Sequence, residues 1–251
     1  MIKKILIIGG TQEGNKLAEY FHNNSFNYII SYAGIVNKVH EKEFSKRIGG
    51  FGGKNGIIDY VKKNKITHII DASHPFSKKI SFNTFSACKT LDLPLIHFSR
   101  KPWYKSKKDN WIRVKSFQES TNYLKSASKK IFLAIGKKNL EIYKNFSHHF
   151  FLLRLLENKN NIRFFPNQEC IVSEGPFHVE EDIKILKKYN IDMIITKNSG
   201  GNGAYSKIIA ARELGITVII ISRPRGAKVK KVYNFDSILK WLNHESLNLG
   251  V

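Results

Sequence analysis

Short apolar runs recur along the chain, and most are separated by segments in which apolar residues return every three or four positions. Brief apolar runs bounded by turn-forming residues indicate strands, whereas the longer period indicates amphipathic helices. Strands that are almost continuously apolar and alternate with helices are typical of parallel sheets covered on both faces. The pattern therefore predicts an α/β protein, with strands at residues 4–8, 28–33, 67–71, 94–98, 130–135, 149–156, 191–196 and 217–222.

One stretch, SRKPWYKSKKDNW at residues 99–111, has neither the strand period nor the helix period. Its Lys, Pro and Asn content is typical of a loop, so we interpret it as a linker. It divides the chain into a nucleotide-type half, residues 1–103, and a second α/β half, residues 104–251. Ligands of such proteins usually bind in a cleft between the domains, and we expect the same here.

The chain is strongly basic, with 42 Lys and Arg residues against 20 Asp and Glu and a formal net charge of +22. Of the basic residues 34 are Lys and 8 are Arg, and the lysines are scattered over the predicted helix faces. Nucleic-acid contacts need clustered basic residues, so this distribution instead favours a solvated surface or a field that attracts a small polyanionic substrate.

Membrane and metal partners are not expected from the sequence. No apolar run approaches the length of about 18 residues that a membrane span needs, and the first strand is too short for a signal peptide. We therefore expect a soluble, cytoplasmic protein. The two cysteines, Cys88 and Cys170, show no metal-ligand spacing with each other or with His, so no metal site is expected.

The most conspicuous motif is IIGGTQEG at residues 7–14, a strand that enters a glycine turn and then a helix. Gly9 and Gly14 occupy the first and last positions of the dinucleotide-binding fingerprint, and Thr11 occupies the middle one. Free N–H groups at the start of the helix would attract an anion such as a pyrophosphate. The alternative is a tight strand-to-helix turn that holds no ligand.

The second strand indicates which nicotinamide nucleotide would bind. It ends at Ser31 and Tyr32, and no Asp or Glu stands where an NAD-binding fold places an acid on the ribose 2′-hydroxyl. The 2′-phosphorylated cofactor is therefore favoured.

Two further segments of the first half carry candidate site residues. GGFGG, at residues 49–53, would let the backbone approach a flat or phosphorylated ligand closely. DASHPF, at residues 71–76, ends a strand at the edge that faces the ligand in a doubly wound sheet. His74 could donate a proton or bond a cofactor amide, or it could cap the turn before the next helix.

In the second half, Lys197 and the following Ser199, Gly200 and Gly201 place an ammonium, a hydroxyl and backbone donors in one turn. Such a turn suits a carboxylate or a phosphate, although a glycine-rich turn with a solvated Lys is the alternative. Because arginines are few, those near strand ends are candidates for carboxylate recognition: Arg100, Arg154 and Arg223.

Taken together, the motifs resemble those of the precorrin-6A reductases and their cobalt-precorrin counterparts in corrin biosynthesis, in the same order and over nearly the whole chain. They are GGTQEG (9–14), SYAG (31–34), GGFGG (49–53), DASHPF (71–76), RKPW (100–103), GPF (175–177) and TKNSGGNGAYSKIIAARELGITVIIISRP (196–224). The resemblance implies two Rossmann-like domains, NADPH as the cofactor, and hydride delivery to a polycarboxylate tetrapyrrole. At Ile35, where the family commonly has Arg, this chain differs, and Lys38 is the nearby replacement.

The resemblance also assigns roles to residues. The expected cofactor-binding residues are Gly9, Gly10, Thr11, Glu13, Ser31, Gly34, Lys38, Gly50, Phe51, Gly52, Gly53, Ser73 and His74. The residues expected to hold substrate carboxylates, or to lie along the cofactor, are Arg100, Arg154, Lys197, Ser199, Gly200 and Gly201. His74 and Tyr205 are candidate proton donors, and water is a third.

Two other function classes remain open at this point. A two-domain nucleotide-sugar transferase shares the paired domains, and it would bind a nucleotide sugar instead of NADPH. A basic nucleic-acid-binding protein would show duplex affinity that falls steeply with salt. The sequence indicates neither the oligomeric state nor whether the tetrapyrrole carries cobalt.

Overall fold

The computed structural model of the chain describes residues 3–34, 44–156, 163–173 and 175–247, with side chains as far as residue 244. The strands in these ranges are β1 (Ile5–Ile8), β2 (Tyr28–Tyr32), β3 (Lys46–Ile48), β4 (His68–Asp71), β5 (Leu95–Phe98), β6 (Trp111–Val114), β7 (Lys130–Ala134), β8 (Phe150–Leu155), β9 (Gln168–Val172), β10 (Met193–Lys197), β11 (Thr217–Ile221) and β12 (Lys231–Val232). The helices are α1 (Gln12–Asn23), α2 (Lys54–Asn64), α3 (Lys78–Leu91), α4 (Phe117–Ser120), α5 (Val179–Lys188), α6 (Ser206–Glu213) and α7 (Phe235–Leu247). Two 3₁₀ segments, Thr121–Leu124 and Lys137–Phe146, follow α4 and β7.

The strands form two parallel sheets of six strands each. The order is β3-β2-β1-β4-β5-β12 in the first sheet and β9-β8-β7-β10-β11-β6 in the second. The order reverses between β1 and β4 in the first sheet and between β7 and β10 in the second, and doubly wound sheets bind ligands at such reversals. The expected α/β class with parallel sheets is therefore confirmed, and each of the eight expected strands is present.

The chain forms two compact units, of which the first contains residues 1–101 and 225–251 and the second contains residues 102–224. The expectation that everything after residue 103 belongs to the second domain is therefore wrong for the C-terminal segment. Val232 of β12 pairs with Phe98 of β5, and α7 buries Ile238 and Trp241 in the core of the first unit. A two-residue strand carries no sequence signal of the sheet that it joins.

The first sheet is covered on both faces, which is why β1 is apolar at every position. Ile5 and Ile7 contribute to a core that includes side chains of α1 and α7, whereas Leu6 and Ile8 contribute to one that includes side chains of α2 and α3. Successive strand residues point to opposite faces, so each face takes alternate residues.

The second sheet packs in the same way against α5 and α6. Phe132, Ile194 and Ile220 form a core with Leu186 of α5 and Ile208 of α6. Among the described residues no helix combines the length and apolar character that crossing a membrane requires.

Candidate functional site

The turn from β1 into α1 is fixed by Thr11. Its Oγ1 accepts a hydrogen bond from the Gly14 N–H (3.1 Å) and donates one to the Ala72 carbonyl (2.8 Å), so it caps α1 and ties the helix to the end of β4. A Cβ on Gly14 would lie 3.2 Å from the Cβ of Ala72. Thr11 and Gly14 therefore serve the close packing of the helix on the sheet.

The two preceding glycines leave backbone accessible at the end of β1. Gly9 donates its N–H to the Ser31 carbonyl (2.8 Å), and a Cβ there would lie 3.0 Å from a side-chain carbon of Ile30. Gly10 has φ +110°, and no described heavy atom lies within 4 Å of the position that its Cβ would take. The open space above Gly10, beside the start of a twelve-residue helix, fits the phosphate-binding turn of a dinucleotide fold.

Glu13, in the first turn of α1, pairs with Arg100. The Arg100 guanidinium lies 3.3 Å from a carboxylate oxygen of Glu13, and both side chains are mostly buried. Arg100 follows β5, so the structure places it beside the β1–α1 turn of the first unit. Its expected role as a contact to substrate stays a prediction.

Arg47, a residue that the sequence patterns did not single out, organises the GGFGG loop. Arg47 and Ser31 are register partners on β3 and β2. The Arg47 Nη1 donates to the Ser31 Oγ (2.9 Å) and to the Gly49 carbonyl (2.6 Å), and Nη2 donates to the Gly50 carbonyl (3.0 Å). The guanidinium carbon lies 3.9 Å from the centre of the Phe51 ring. The scarcity of arginines in the chain is the signal that could have drawn attention to it.

The same loop depends on glycine at several positions. Gly52 and Gly53 have φ of +77° and +108°, and Gly53 is the N-terminal cap of α2 without a side chain to satisfy the helix. A Cβ on Gly56 would lie 1.6 Å from the Phe51 carbonyl oxygen, so the loop backbone rests directly on the helix. Gly34, after β2, also has a positive φ (+91°), and Lys38 lies outside the described residues.

The end of β4 is an internal hydrogen-bond network. Burial alone would raise the pKa of the Asp71 carboxyl, but the hydrogen bond and charge of His97 (3.2 Å) and hydrogen bonds from the Ser73 and Ser81 side chains bring that pKa below its ordinary value. The Ser73 N–H also donates to this carboxylate (3.0 Å). The buried Ser73 hydroxyl contacts that of Ser81 at 3.0 Å. The His74 Nδ1 accepts from the Phe76 N–H (3.2 Å), which is the local turn role that stood as the alternative.

In the second sheet, Lys197 ends β10 at the point where the strand order reverses. Its ammonium lies 3.7 Å from the place that a Cβ of Gly136, just after β7, would occupy, and Gly136 has φ +75°. Burial, followed by the nearby charge of Lys138, lowers the pKa of Lys197 to about 8. A bound anion would offset both effects.

The turn after Lys197, residues 198–201, is held in place by hydrogen bonds from Arg223 and Trp103. Arg223 donates to the carbonyls of Asn198 (3.0 Å) and Ser199 (2.8 Å). The Trp103 indole N–H donates to the Gly201 carbonyl (2.7 Å), and its backbone exchanges two hydrogen bonds with the Asn198 amide (2.8 and 2.9 Å). Arg223 was a candidate for carboxylate recognition, and the structure shows its guanidinium bonded to this turn.

Gly200 and Gly201 have φ of +70° and +65°, a backbone conformation that glycine adopts without strain. The hydrogen bonds from Trp103 and Arg223 therefore hold a turn that needs glycine at positions 200 and 201. Among the described residues, no group of three or more His, Cys, Asp or Glu side chains is arranged to hold a metal ion.

Tyr205 and Arg154, both expected at the site, have internal partners. The Tyr205 hydroxyl accepts from Arg212 (3.0 Å), which also pairs with Asp109 (2.8 Å). Arg154 is buried, pairs with Asp182, and lies against the rings of Phe132 (4.9 Å) and Phe177 (4.4 Å). Its Nε and Nη1 are buried without a hydrogen-bond partner among the described residues, so the internal contacts do not account for the whole guanidinium.

Two parallel sheets, each with a glycine turn where its strand order reverses, define a protein of the two-domain, Rossmann-like α/β class. Within that class, the chain belongs to the precorrin-6x reductase CbiJ/CobK family, whose family model matches residues 4–243.

Similarity to individual members of the family extends over almost the full length. The chain is 34% identical to a precorrin-6A reductase of Rhodobacter capsulatus, covering 99% of both chains, and 28% identical to a cobalt-precorrin-6A reductase of Methanocaldococcus jannaschii, covering 95% of this chain and 97% of the relative. Among solved structures, a CobK precorrin-6A reductase matches with a TM-score of 0.91 and 34% identity, over 96% of each chain.

Proposed function

We propose that the protein is an NADPH-dependent reductase that adds a hydride to one double bond of precorrin-6A or of its cobalt form. The observation that carries this proposal is the near full-length match to precorrin-6A reductases in both sequence and structure. The glycine turns at the two strand-order reversals support it, because they lie where a nucleotide and an anionic substrate would bind.

In this proposal, residues of the first unit bind and orient the cofactor. The backbone at Gly9 and Gly10 receives the pyrophosphate, since the space above Gly10 is open and α1 begins two residues later. β2 ends with Ser31 and Tyr32, neither of which is an acid, so no carboxylate at that end repels a 2′-phosphate. NADPH supplies the hydride when it is bound.

At the substrate, the residues of the second unit provide positive charge. Precorrins are polycarboxylates, and we assign Lys197 and the Ser199–Gly201 turn to one of their carboxylates. The lowered pKa of Lys197 supports this role, because a carboxylate beside the ammonium would offset the burial and the repulsion from Lys138. The braces from Trp103 and Arg223 hold the turn in place before substrate arrives.

The carbon next to the reduced position must also gain a proton. The His74 Nδ1 accepts a backbone hydrogen bond, so in the neutral ring the proton that would be transferred is on Nε2. The Tyr205 hydroxyl accepts from Arg212, which leaves its own proton to donate. His74 and Tyr205 remain the proposed donors beside water, and the variants His74→Asn and Tyr205→Phe test them.

The test of the function is anaerobic turnover of the purified protein with NADPH and either precorrin-6A or its cobalt form. We expect NADPH oxidation matched by a product that is heavier by two hydrogens, and the two substrates compared side by side show which one is natural. A protein that binds a nucleotide sugar and not NADPH would favour the transferase alternative. Duplex affinity that falls steeply with salt would favour nucleic-acid binding.

A further inference from the structure

We propose that Arg47 is the residue that recognises the 2′-phosphate of the cofactor and so sets the preference for NADPH over NADH. The inference rests on the proposed function, and it adds the group that distinguishes the two cofactors. It is carried by the position of Arg47, by the chemistry of its partners, and by the way in which its guanidinium is held.

In dinucleotide-binding sheets the carboxyl end of the second strand lies at the adenosine ribose, where an acid selects NAD and an Arg accommodates the 2′-phosphate of NADP. Here Ser31 is the last residue but one of β2, and its hydroxyl accepts a hydrogen bond from Arg47 on the neighbouring β3. The Arg47 guanidinium is therefore within one hydrogen bond of the position that selects the cofactor.

The partners of Arg47 leave its charge available. Among the described residues they are neutral oxygens, namely one hydroxyl and the carbonyls of Gly49 and Gly50. These bonds use three of the five N–H donors of a guanidinium, which leaves Nε–H and one N–H of Nη2. A phosphate dianion would take these donors and supply the opposite charge.

The guanidinium is also fixed in orientation. It lies 3.9 Å from the Phe51 ring centre and 5.1 Å from that of Tyr60, while its bonds to the loop carbonyls hold its plane. A guanidinium that is already held in one orientation loses little side-chain entropy when it binds a phosphate. The same bonds offer a second explanation, in which Arg47 only shapes the glycine loop and would support both cofactors equally.

Equilibrium titrations with NADPH and NADH separate these two roles. We expect Arg47→Met to weaken NADPH binding by roughly 10- to 100-fold while NADH binding changes by less than about 3-fold. Arg113→Met, which removes the same charge from an exposed position on β6, is the matched control and should leave both constants unchanged. Equal weakening of both cofactors by Arg47→Met would overturn the proposal in favour of the purely loop-shaping role.

A second variant decides the question if Arg47→Met does not fold, which its thermal melt will show. Ser31→Asp places a carboxylate beside the intact guanidinium, so it should lower the NADPH preference by about 10-fold or more, and an unchanged preference overturns the proposal. A wild-type protein that binds both cofactors equally overturns the role of Arg47 but leaves the reductase in place. A wild-type protein that binds neither overturns the proposed function itself.

Discussion

Lys197 is partly buried, is close to a second cation, and ends a strand where the order of a sheet reverses. If it binds a substrate carboxylate, Lys197→Met should lower kcat/KM by roughly 10- to 100-fold, equivalent to about 1.4–2.7 kcal/mol. NADPH affinity, measured by fluorescence titration, should remain unchanged. A loss of NADPH affinity instead would place the cofactor at this turn.

The pH dependence of the same step follows from the pKa of about 8. Lys197 is charged below that pH and loses its charge as the pH rises through it, so kcat/KM for the tetrapyrrole should fall above about pH 8. Lys197→Met should lack this decline, because it has no charge to lose. A decline that persists in the variant would belong to another group.

Two glycines only six residues apart should respond very differently to the same substitution. A Cβ on Gly56 would overlap the Phe51 carbonyl at 1.6 Å, whereas one on Gly50 has no described heavy atom within 4 Å. We expect Gly56→Ala to reduce the free energy of unfolding by about 2 kcal/mol or more and Gly50→Ala to change it by less than about 0.5 kcal/mol. Urea denaturation of the two variants gives both values, and similar losses would mean that the loop does not rest on the helix.

For individual residues, the sequence could indicate the glycine turns but not the hydrogen bonds that hold those turns in place. The glycine turn at Gly10 and the cation at Lys197 are visible because local spacing marks them. The bonds of Trp103 and Arg223 to the second turn join residues about 100 and 25 positions apart along the chain. No local pattern marks such long-range hydrogen bonds, so these braces required the structure.

Among the elements, the strands that the sequence pattern did not predict are β3, β6, β9 and β12, and these are the four edges of the two sheets. The eight predicted strands are all interior, where both faces are covered and the runs are mainly apolar. Two of the edge strands, Lys46–Ile48 and Lys231–Val232, are short, and all four are partly exposed, so they lack a clear apolar run. The hydrophobic pattern therefore locates the interior strands of such a sheet and misses its edge strands.

Helix α7 shows the same limit, because its apolar residues do not indicate which core they join. Ile238 is fully buried in the core of the first unit, and Lys240 is exposed on the same helix. Ile238→Ala should reduce stability by about 2–5 kcal/mol and should weaken NADPH binding at temperatures where the first unit begins to unfold. Lys240→Ala should do neither. Thermal melts with and without NADPH make the comparison.

The second unit is formed by one continuous segment of the chain, whereas the first is formed by two segments. Residues 102–224 supply all six strands of the second sheet, whereas the first sheet takes five strands from before residue 102 and β12 from after residue 224. A fragment of residues 102–224 should therefore fold alone, and a fragment of residues 1–101 should not, because it lacks β12 and α7. Circular dichroism and cooperative urea unfolding of both fragments test this, and cooperative unfolding of the shorter fragment would contradict it.

This discontinuity sets the order of events on the ribosome. Every strand of the first sheet but one leaves the exit tunnel early, yet the last strand and its covering helix are made only after the 123 residues from 102 to 224. At roughly 5–20 residues per second, the interval is about 6–25 s. Nascent chains usually complete their N-terminal domain first, but here the inserted unit can finish while the apolar face that awaits Ile238 and Trp241 stays uncovered. We therefore expect this apolar face to be protected, by a chaperone or by the ribosome surface, until β12 and α7 emerge.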